Sequence, residues 1–268
     1  MKPPAARPHV RAAGQGPGVI CLHSNASSSS QWRGLIERLA PRWQVLAPDS
    51  WGSGQSPEWP SDRVISLQDE VDLVEPLLAA QPGPWVWVGH SYGGAAVLRA
   101  AVQRPERVRA LVLYEPTLFA LLRSGLAGPG VEREIVAVVN DGAAALDAGD
   151  PDGAALRFID YWMGPGSWAA TPEHRKPAIA ASVRNLRRWG HALVTEPTPI
   201  EAFARLDVPV LLMTGAASTA AAHGVARCLL QTLPRVTHVE FAGLGHMAPV
   251  THPDAVNAEI ERFLNGLA

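Results

Sequence analysis

Apolar or β-favouring runs alternate with amphipathic segments along most of the chain. The runs at residues 19–22, 43–47, 85–88, 108–114, 208–213 and 236–241 predict strands, and residues 10–13 predict a further short one. Between them, apolar residues recur at helical spacing in 31–39, 66–81, 95–103, 219–233 and 253–267. This alternation predicts an α/β fold with a mostly parallel sheet and helices on both of its faces.

The pattern changes between residues 117 and 199, where strand-like runs stop and the chain becomes helical and irregular. We therefore predict a core domain formed by residues 1–116 and 200–268, and a helical cap or lid insertion formed by 117–199. Large side chains are concentrated in this insertion: Phe158, Tyr161, Trp162, Met163, Trp168 and Trp189. They either pack as the core of the insertion or form the wall of an apolar pocket.

A Gly-x-Ser-x-Gly pattern, with Ser91 at its centre, lies between a predicted strand and a predicted helix. A sharp turn there holds the serine in a strained backbone conformation, and the flanking Gly89 and Gly93 leave room where strand and helix crowd together. The hydroxyl then projects from the edge of the sheet. Ser91 is the candidate nucleophile, and the alternative is a glycine-rich connection that only packs closely.

Right-handed crossovers place the carboxyl ends of parallel strands on one edge of the sheet, where α/β proteins bind ligands. The polar residues that follow predicted strands are Asn25, Asp49, Ser91, Glu115, Ser218 and His246. A serine needs a base within hydrogen-bond reach, because its hydroxyl is a weak nucleophile at neutral pH. Of the nine histidines, His246 has the best position, in a glycine-rich loop after the last strand. His246 is therefore the candidate base.

Composition limits the class of partner. The 268 residues are 47% apolar and 18% charged with a net charge of -2, which favours a small-molecule substrate over nucleic acid or a membrane surface. Cys21 and Cys228 fit neither a disulfide framework nor a metal site, and we expect neither a metal nor an organic cofactor. Without a signal-peptide pattern or a membrane-length apolar run, we expect a cytoplasmic protein. The composition is also compatible with a homo-oligomer.

Four motifs together resemble the α/β-hydrolase superfamily, in its serine-nucleophile branch. They are LHSN at 22–25, APDSWGSGQS at 47–56, GHSYGG at 89–94 and GHM at 245–247. The resemblance implies that Ser91 is the nucleophile and His246 the base. It also implies an oxyanion hole formed by the backbone N–H of Tyr92 and a second N–H, from Asn25. Ser24 stands where related chains carry glycine, which leaves Ser24 as the other candidate for that second donor.

The acidic member of the predicted triad departs from the commonest family pattern. Most members carry it after the penultimate strand, but residues 215–219 read GAAST, and Ser218 occupies the expected place. A subset similar to some haloalkane dehalogenases takes the acid from the end of the strand after the nucleophile helix, which here is Glu115. Asp49 is the reserve candidate, and the alternative role for Glu115 is a carboxylate that caps the insertion.

These residues predict acyl transfer rather than dehalogenase or epoxide chemistry, which would need an aspartate in place of Ser91. The expected activity is hydrolysis of carboxylic esters with small apolar acyl groups. One alternative is a carbon–carbon bond hydrolase, favoured if Arg184, Arg187 or Arg188 lines the pocket to bind a substrate carboxylate. Another is a ligand-binding or sensor protein that turns over slowly.

Overall fold

A single sheet forms the centre of the molecule, for which the computed structural model describes residues 7–79 and 83–267. Within them the strands are β1 (Val10–Ala13), β2 (Gly18–Leu22), β3 (Gln44–Pro48), β4 (Trp85–His90), β5 (Val108–Tyr114), β6 (Val210–Gly215) and β7 (Val236–Phe241). They lie in the order β1-β3-β2-β4-β5-β6-β7. Only β1 pairs antiparallel, with β3. The predicted mostly parallel sheet is confirmed.

Helices connect the strands and cover the sheet. They are α1 (Arg33–Leu39), α2 (Leu67–Ala79), α3 (Tyr92–Gln103), α4 (Val131–Asp147), α5 (Pro151–Met163), α6 (Ser167–Ala170), α7 (Lys176–Ser182), α8 (Leu186–Thr195), α9 (Ala220–Thr232), α10 (Ala248–Thr251) and α11 (Pro253–Asn265). The helix predicted over 31–39 begins instead as a 3-10 turn, Ser29–Trp32, capped by the Ser28 side chain. The end of the helix predicted over 66–81 lies outside the described residues, which resume at 83.

Alternate residues of each central strand enter two apolar layers, one on each face of the sheet. Ile20, Trp87 and Leu111 pack on the side of α2, α3 and α9. Val19 and Val112 pack on the side of α1 and α11. Each fully buried aliphatic or aromatic side chain contributes roughly 1.5–3 kcal/mol. Helices on both faces fix the strands firmly enough to hold polar side chains at their carboxyl ends in defined positions.

Residues 117–199, which we call the cap segment, contain α4 to α8 between β5 and β6, and no strand. Trp168 packs with small residues in a cluster belonging to the cap segment itself. Trp162 and Trp189 instead join the layer that also covers the sheet. Through these two side chains the cap segment is continuous with the apolar layer on this face of the sheet. Over the described ranges, none of the helices has the length and apolar character needed to cross a membrane.

Candidate active site

Ser91 stands between β4 and α3 in a strained backbone conformation, with φ 55° and ψ -119°. Neighbouring backbone leaves no room for side chains at the two flanking glycines. A Cβ on Gly89 would lie 2.6 Å from Gly94 Cα, and one on Gly93 would lie 2.3 Å from the Leu22 carbonyl oxygen. Such strain costs about 1–3 kcal/mol and persists only where the surroundings impose it. The turn presents the Ser91 hydroxyl at the edge of the sheet.

Three buried side chains form an unbroken chain of hydrogen bonds at this edge. His246 Nε2 lies 2.9 Å from Ser91 Oγ, and His246 Nδ1 lies 2.7 Å from Glu115 Oε2. A carboxylate can only accept, so Nδ1 carries the proton and Nε2 is free to accept from the serine hydroxyl. The structure thus brings together Ser91, His246 and Glu115, which come from the ends of three different strands.

Glu115 is fully buried, follows β5 directly and has a positive φ of 40°. The Gly215 N–H donates to its Oε1 at 2.7 Å, and the Ser218 hydroxyl donates to its Oε2 at 2.6 Å. Burial raises the pKa of Glu115, but the hydrogen bond and charge of His246, with the two other donors, outweigh it and lower the pKa below its ordinary value. Glu115 is therefore ionised. Ser218, at the place where most family members carry the acid, helps to hold the Glu115 carboxylate in position.

Asp49 uses its carboxylate to order a loop instead. Its Oδ1 accepts from the Ser29 N–H at 2.5 Å, and its Oδ2 accepts from the Gln55 N–H at 2.9 Å. Burial raises the pKa of Asp49, yet these backbone donors lower it overall. The reserve candidate thus lies in a different hydrogen-bond network from the one that contains His246.

The two candidate oxyanion donors remain available. In the described part of the chain, no hydrogen bond joins the backbone N–H of Tyr92 or of Asn25 to another residue. The Ser24 N–H, by contrast, donates to Gln31 Oε1 at 3.2 Å, and the Ser24 hydroxyl donates to the same atom. This geometry favours Asn25 over Ser24 as the second donor.

His90 connects the loop that carries Asn25 to the loop that carries His246. Its Nδ1 accepts from Gln31 Nε2 at 3.1 Å, and its Nε2 donates to the His246 carbonyl oxygen at 2.9 Å. Burial and the charge of His246 hold the pKa of His90 well below its ordinary value, so the ring stays neutral. The role of Gln31 was not predicted, since a glutamine at the start of a helix gives no sequence signal.

Two spaces of unequal size meet at Ser91. The outer cavity, of about 380 Å³, is lined by residues 24–27, Ser91, His246 and side chains of the cap segment. The inner pocket, of about 20 Å³, lies beneath the cap segment and has mainly apolar walls that include Phe119, Ile135 and Trp189. Thr117 also lines the inner pocket, and its buried hydroxyl has no hydrogen-bond partner among the described residues.

Trp162 separates these spaces and covers the candidate base. Its ring stacks on His246, with centroids 3.9 Å apart and an angle of 27° between the planes. The same residue lines the outer cavity, the inner pocket and a wide groove on the other side of His246. The sequence left open whether Trp162 packs or forms a pocket wall, and the structure has it do both.

The arginines singled out in the sequence lie outside these two spaces. Arg184 forms an ion pair with Glu58, Arg187 forms one with Asp147, and Arg188 lies beside a small pocket between Trp51 and Trp59. Arg175, which has no sequence signal, lines the outer cavity instead. The side chains of the described residues hold no cluster of three or more His, Cys, Asp or Glu that could bind a metal.

Comparison with known proteins gives consistent matches. A family model described as the alpha/beta hydrolase fold matches residues 17–253. A pimeloyl-[acyl-carrier protein] methyl ester esterase from Nitrosomonas europaea is 26% identical over 92% of this chain and 95% of that protein. The lipase LipV from Mycobacterium tuberculosis is 38% identical, over only 41% of this chain and 42% of its own length.

Solved structures match over nearly the whole chain. A thermophilic esterase from Thermogutta terrifontis superposes with a TM-score of 0.74 at 19% identity, covering 97% of this chain and 93% of that one. A hydrolase from Oleispira antarctica superposes with a TM-score of 0.76 at 17% identity, covering 97% and 96%. At these identities the likeness concerns the fold.

Proposed function

Because the chain belongs to the α/β-hydrolase fold family, we propose that it is a serine hydrolase that cleaves carboxylic esters through an acyl-enzyme. The observation that carries the proposal is the continuous hydrogen-bonded path from Ser91 through His246 to Glu115. Adjacent general bases activate serine hydroxyls in this way. The N. europaea relative, which matches over most of its length, is named as a methyl ester esterase and supports ester hydrolysis.

In the proposed acylation step, Ser91 Oγ attacks the ester carbonyl while His246 Nε2 takes its proton. The N–H groups of Tyr92 and Asn25 stabilise the oxyanion, and one such donor contributes about 2.7–4 kcal/mol in other enzymes. Glu115 fixes the tautomer of His246 and stabilises the imidazolium. His246 then gives its proton to the leaving alcohol.

Deacylation repeats the sequence with water as the nucleophile. His246 takes a proton from water, water attacks the acyl carbon, and Ser91 leaves with the proton that His246 returns. No step requires a metal or an organic cofactor. The inner pocket limits the acyl group, because about 20 Å³ accommodates little more than one water-sized group. The proposed substrates therefore carry small apolar acyl groups.

The nucleophile is tested with Ser91→Ala and a short-chain aryl ester. The intact protein should release an initial burst of phenol followed by steady turnover, and Ser91→Ala should lower kcat by at least about a thousandfold with the fold retained. Undiminished turnover in that variant contradicts the proposal. A slow-turnover sensor would give the burst without sustained turnover of any ester in a panel.

The acid is tested by comparing two isosteric changes. Glu115→Gln should lower kcat by roughly 10³- to 10⁴-fold, because His246 loses the partner that fixes its tautomer. Asp49→Asn serves as the matched control and should retain most activity, because Asp49 bonds to loop amides rather than to His246. The opposite ranking would assign the acid to Asp49.

A further inference from the structure

The two spaces at Ser91 can be assigned to the two sides of an ester, an assignment that rests on the proposed function. In that mechanism His246 protonates the leaving alcohol, so the alcohol must lie where His246 is exposed to it. His246 lines the outer cavity but not the inner pocket. The alcohol side therefore occupies the outer cavity, and the short acyl side occupies the inner pocket.

The outer cavity has room for a long alcohol side and carries one permanent charge. Its volume of about 380 Å³ far exceeds that of the inner pocket. Arg175 is the only Arg, Lys, Asp or Glu side chain among the described residues that line it. The Arg175 guanidinium therefore gives this part of the cavity wall a positive charge that a bound alcohol side can contact.

The contacts of the Arg175 guanidinium differ from those of the other arginines in the cap segment that were singled out above. No ion pair or hydrogen bond joins it to another side chain within residues 7–79 and 83–267, whereas Arg184 and Arg187 are both paired. The nearest acid along the chain, Glu173, is held by Lys176 at 2.5 Å. Arg175 is the last residue of the 3-10 turn Glu173–Arg175, directly before α7, and it is exposed to solvent.

We propose that the substrate is an ester of a short acyl group with an alcohol that bears a terminal oxyanion, a carboxylate or a phosphate, bound by Arg175. The planar guanidinium matches both anions through paired N–H donors. In the overall reaction the acyl carbon–oxygen bond breaks, the acyl carbon gains the hydroxyl of water, and the alcohol oxygen gains the proton from His246. Nothing is oxidised or reduced.

The experiment compares matched esters that differ at one end. The first substrate is the acetate ester of γ-hydroxybutyrate, whose far end is a carboxylate. The second, the neutral amide, keeps the acetate ester and replaces that carboxylate by a carboxamide. The third substrate is the acetate ester of hydroxypropyl phosphate. For the unaltered protein, kcat/KM should be about fivefold higher for an anionic ester than for the amide, as expected for an exposed charge pair. The preferred anion, carboxylate or phosphate, identifies the terminal group.

Arg175→Gln should remove this preference by lowering kcat/KM for the anionic esters toward that for the neutral amide, and Arg175→Lys should keep part of the preference. Arg187→Gln is the matched control, because it removes the same charge from the cap segment outside the cavity and should leave the preference intact. Equal rates on anionic and neutral esters in the unaltered protein, or a preference that survives Arg175→Gln, overturns the inference.

A reversed ester tests the orientation. Monomethyl succinate carries its small group on the alcohol side, and a higher kcat/KM for it than for the acetate esters overturns the assignment of the two spaces. If the proposed function itself is wrong, the result is different: none of the acetate esters is cleaved, including the one with the neutral carboxamide, and Ser91 does not react with acyl probes. The failure of this inference alone leaves the neutral ester a good substrate.

Discussion

Glu70→Gln should make the protein more stable at alkaline pH without changing its stability under mildly acidic conditions. Glu70, in the first turn of α2, is buried and accepts from the Trp51 N–H at 3.2 Å. Its other oxygen lies 3.1 Å from the hydroxyl of Tyr92. Burial raises the pKa of Glu70 from its ordinary value of 4.5 to about 8, although these hydrogen bonds act in the opposite direction. Glutamine reproduces the neutral acid, because its oxygen can accept from Trp51 and its amide can donate to Tyr92.

The direction of the pH effect on stability depends on whether the folded or the unfolded protein holds the proton of Glu70. Between pH 4.5 and pH 8 the folded protein keeps a proton on Glu70 that the unfolded chain has lost, so the free energy of unfolding falls as pH rises through this window. At about 1.4 kcal/mol per pH unit, the raised pKa sets an upper bound of about 5 kcal/mol on this loss. Local relaxation and entry of water reduce it, and we expect about 2–4 kcal/mol.

Urea unfolding of both proteins across about pH 5 to pH 9 measures the effect. Because all other groups titrate alike, the difference between the two free energies of unfolding isolates Glu70. It should be close to zero at the acidic end and should grow to the full value above pH 8. Two curves that stay parallel over the whole range would refute the reasoning, since Glu70 would then titrate with an ordinary pKa.

Three further changes have expected outcomes. Ser218→Ala removes a donor to Glu115, so the pKa of Glu115 should rise toward its ordinary value and the acidic limb of the kcat/KM profile should move to higher pH. Ionised Glu115 stabilises the folded state above the pKa that it has in the unfolded chain, and this contribution is lost as pH falls through its lower pKa in the folded protein. Ser218→Ala should make this contribution smaller. Gln31→Leu removes the donor to His90 and the acceptor for Ser24, and should lower kcat by roughly tenfold with little change in KM, measured on one aryl ester. Thr117→Val replaces a buried unpaired hydroxyl by a methyl group and should raise the free energy of unfolding by about 1 kcal/mol in urea titrations, whereas a loss of stability would mean that the hydroxyl has a partner.

The sheet and its helices could be predicted because burial on both faces leaves a strong local pattern. The bounds of β5 and β7 agree with the prediction to the residue, and the other elements differ mainly at their ends. Helix α2 was predicted from its apolar face, but the burial of Glu70 on it was not. That burial depends on Trp51 and Tyr92, which are distant in sequence.

The positions of the candidate site residues followed from topology. Ser91, Glu115 and His246 each come after a parallel strand, so they had to approach the same edge of the sheet. The cap segment offered no such rule, because helices without a sheet to fix them can pack in many ways. The places of Trp162 over His246 and of Arg175 beside the outer cavity therefore became visible only in three dimensions.

The position of Glu115 has a consequence for how such chains are classified. Residues 215–219 after β6 read GAAST and contain no carboxylate, so a search restricted to that loop would find no candidate acid in this chain. The hydrogen bond from Ser218 to Glu115 marks a different arrangement, in which the loop after β6 supports the candidate acid without supplying it. A sequence rule that pairs a small hydroxyl residue at that place with an acid directly after β5 would recover the candidate triad in chains of this kind.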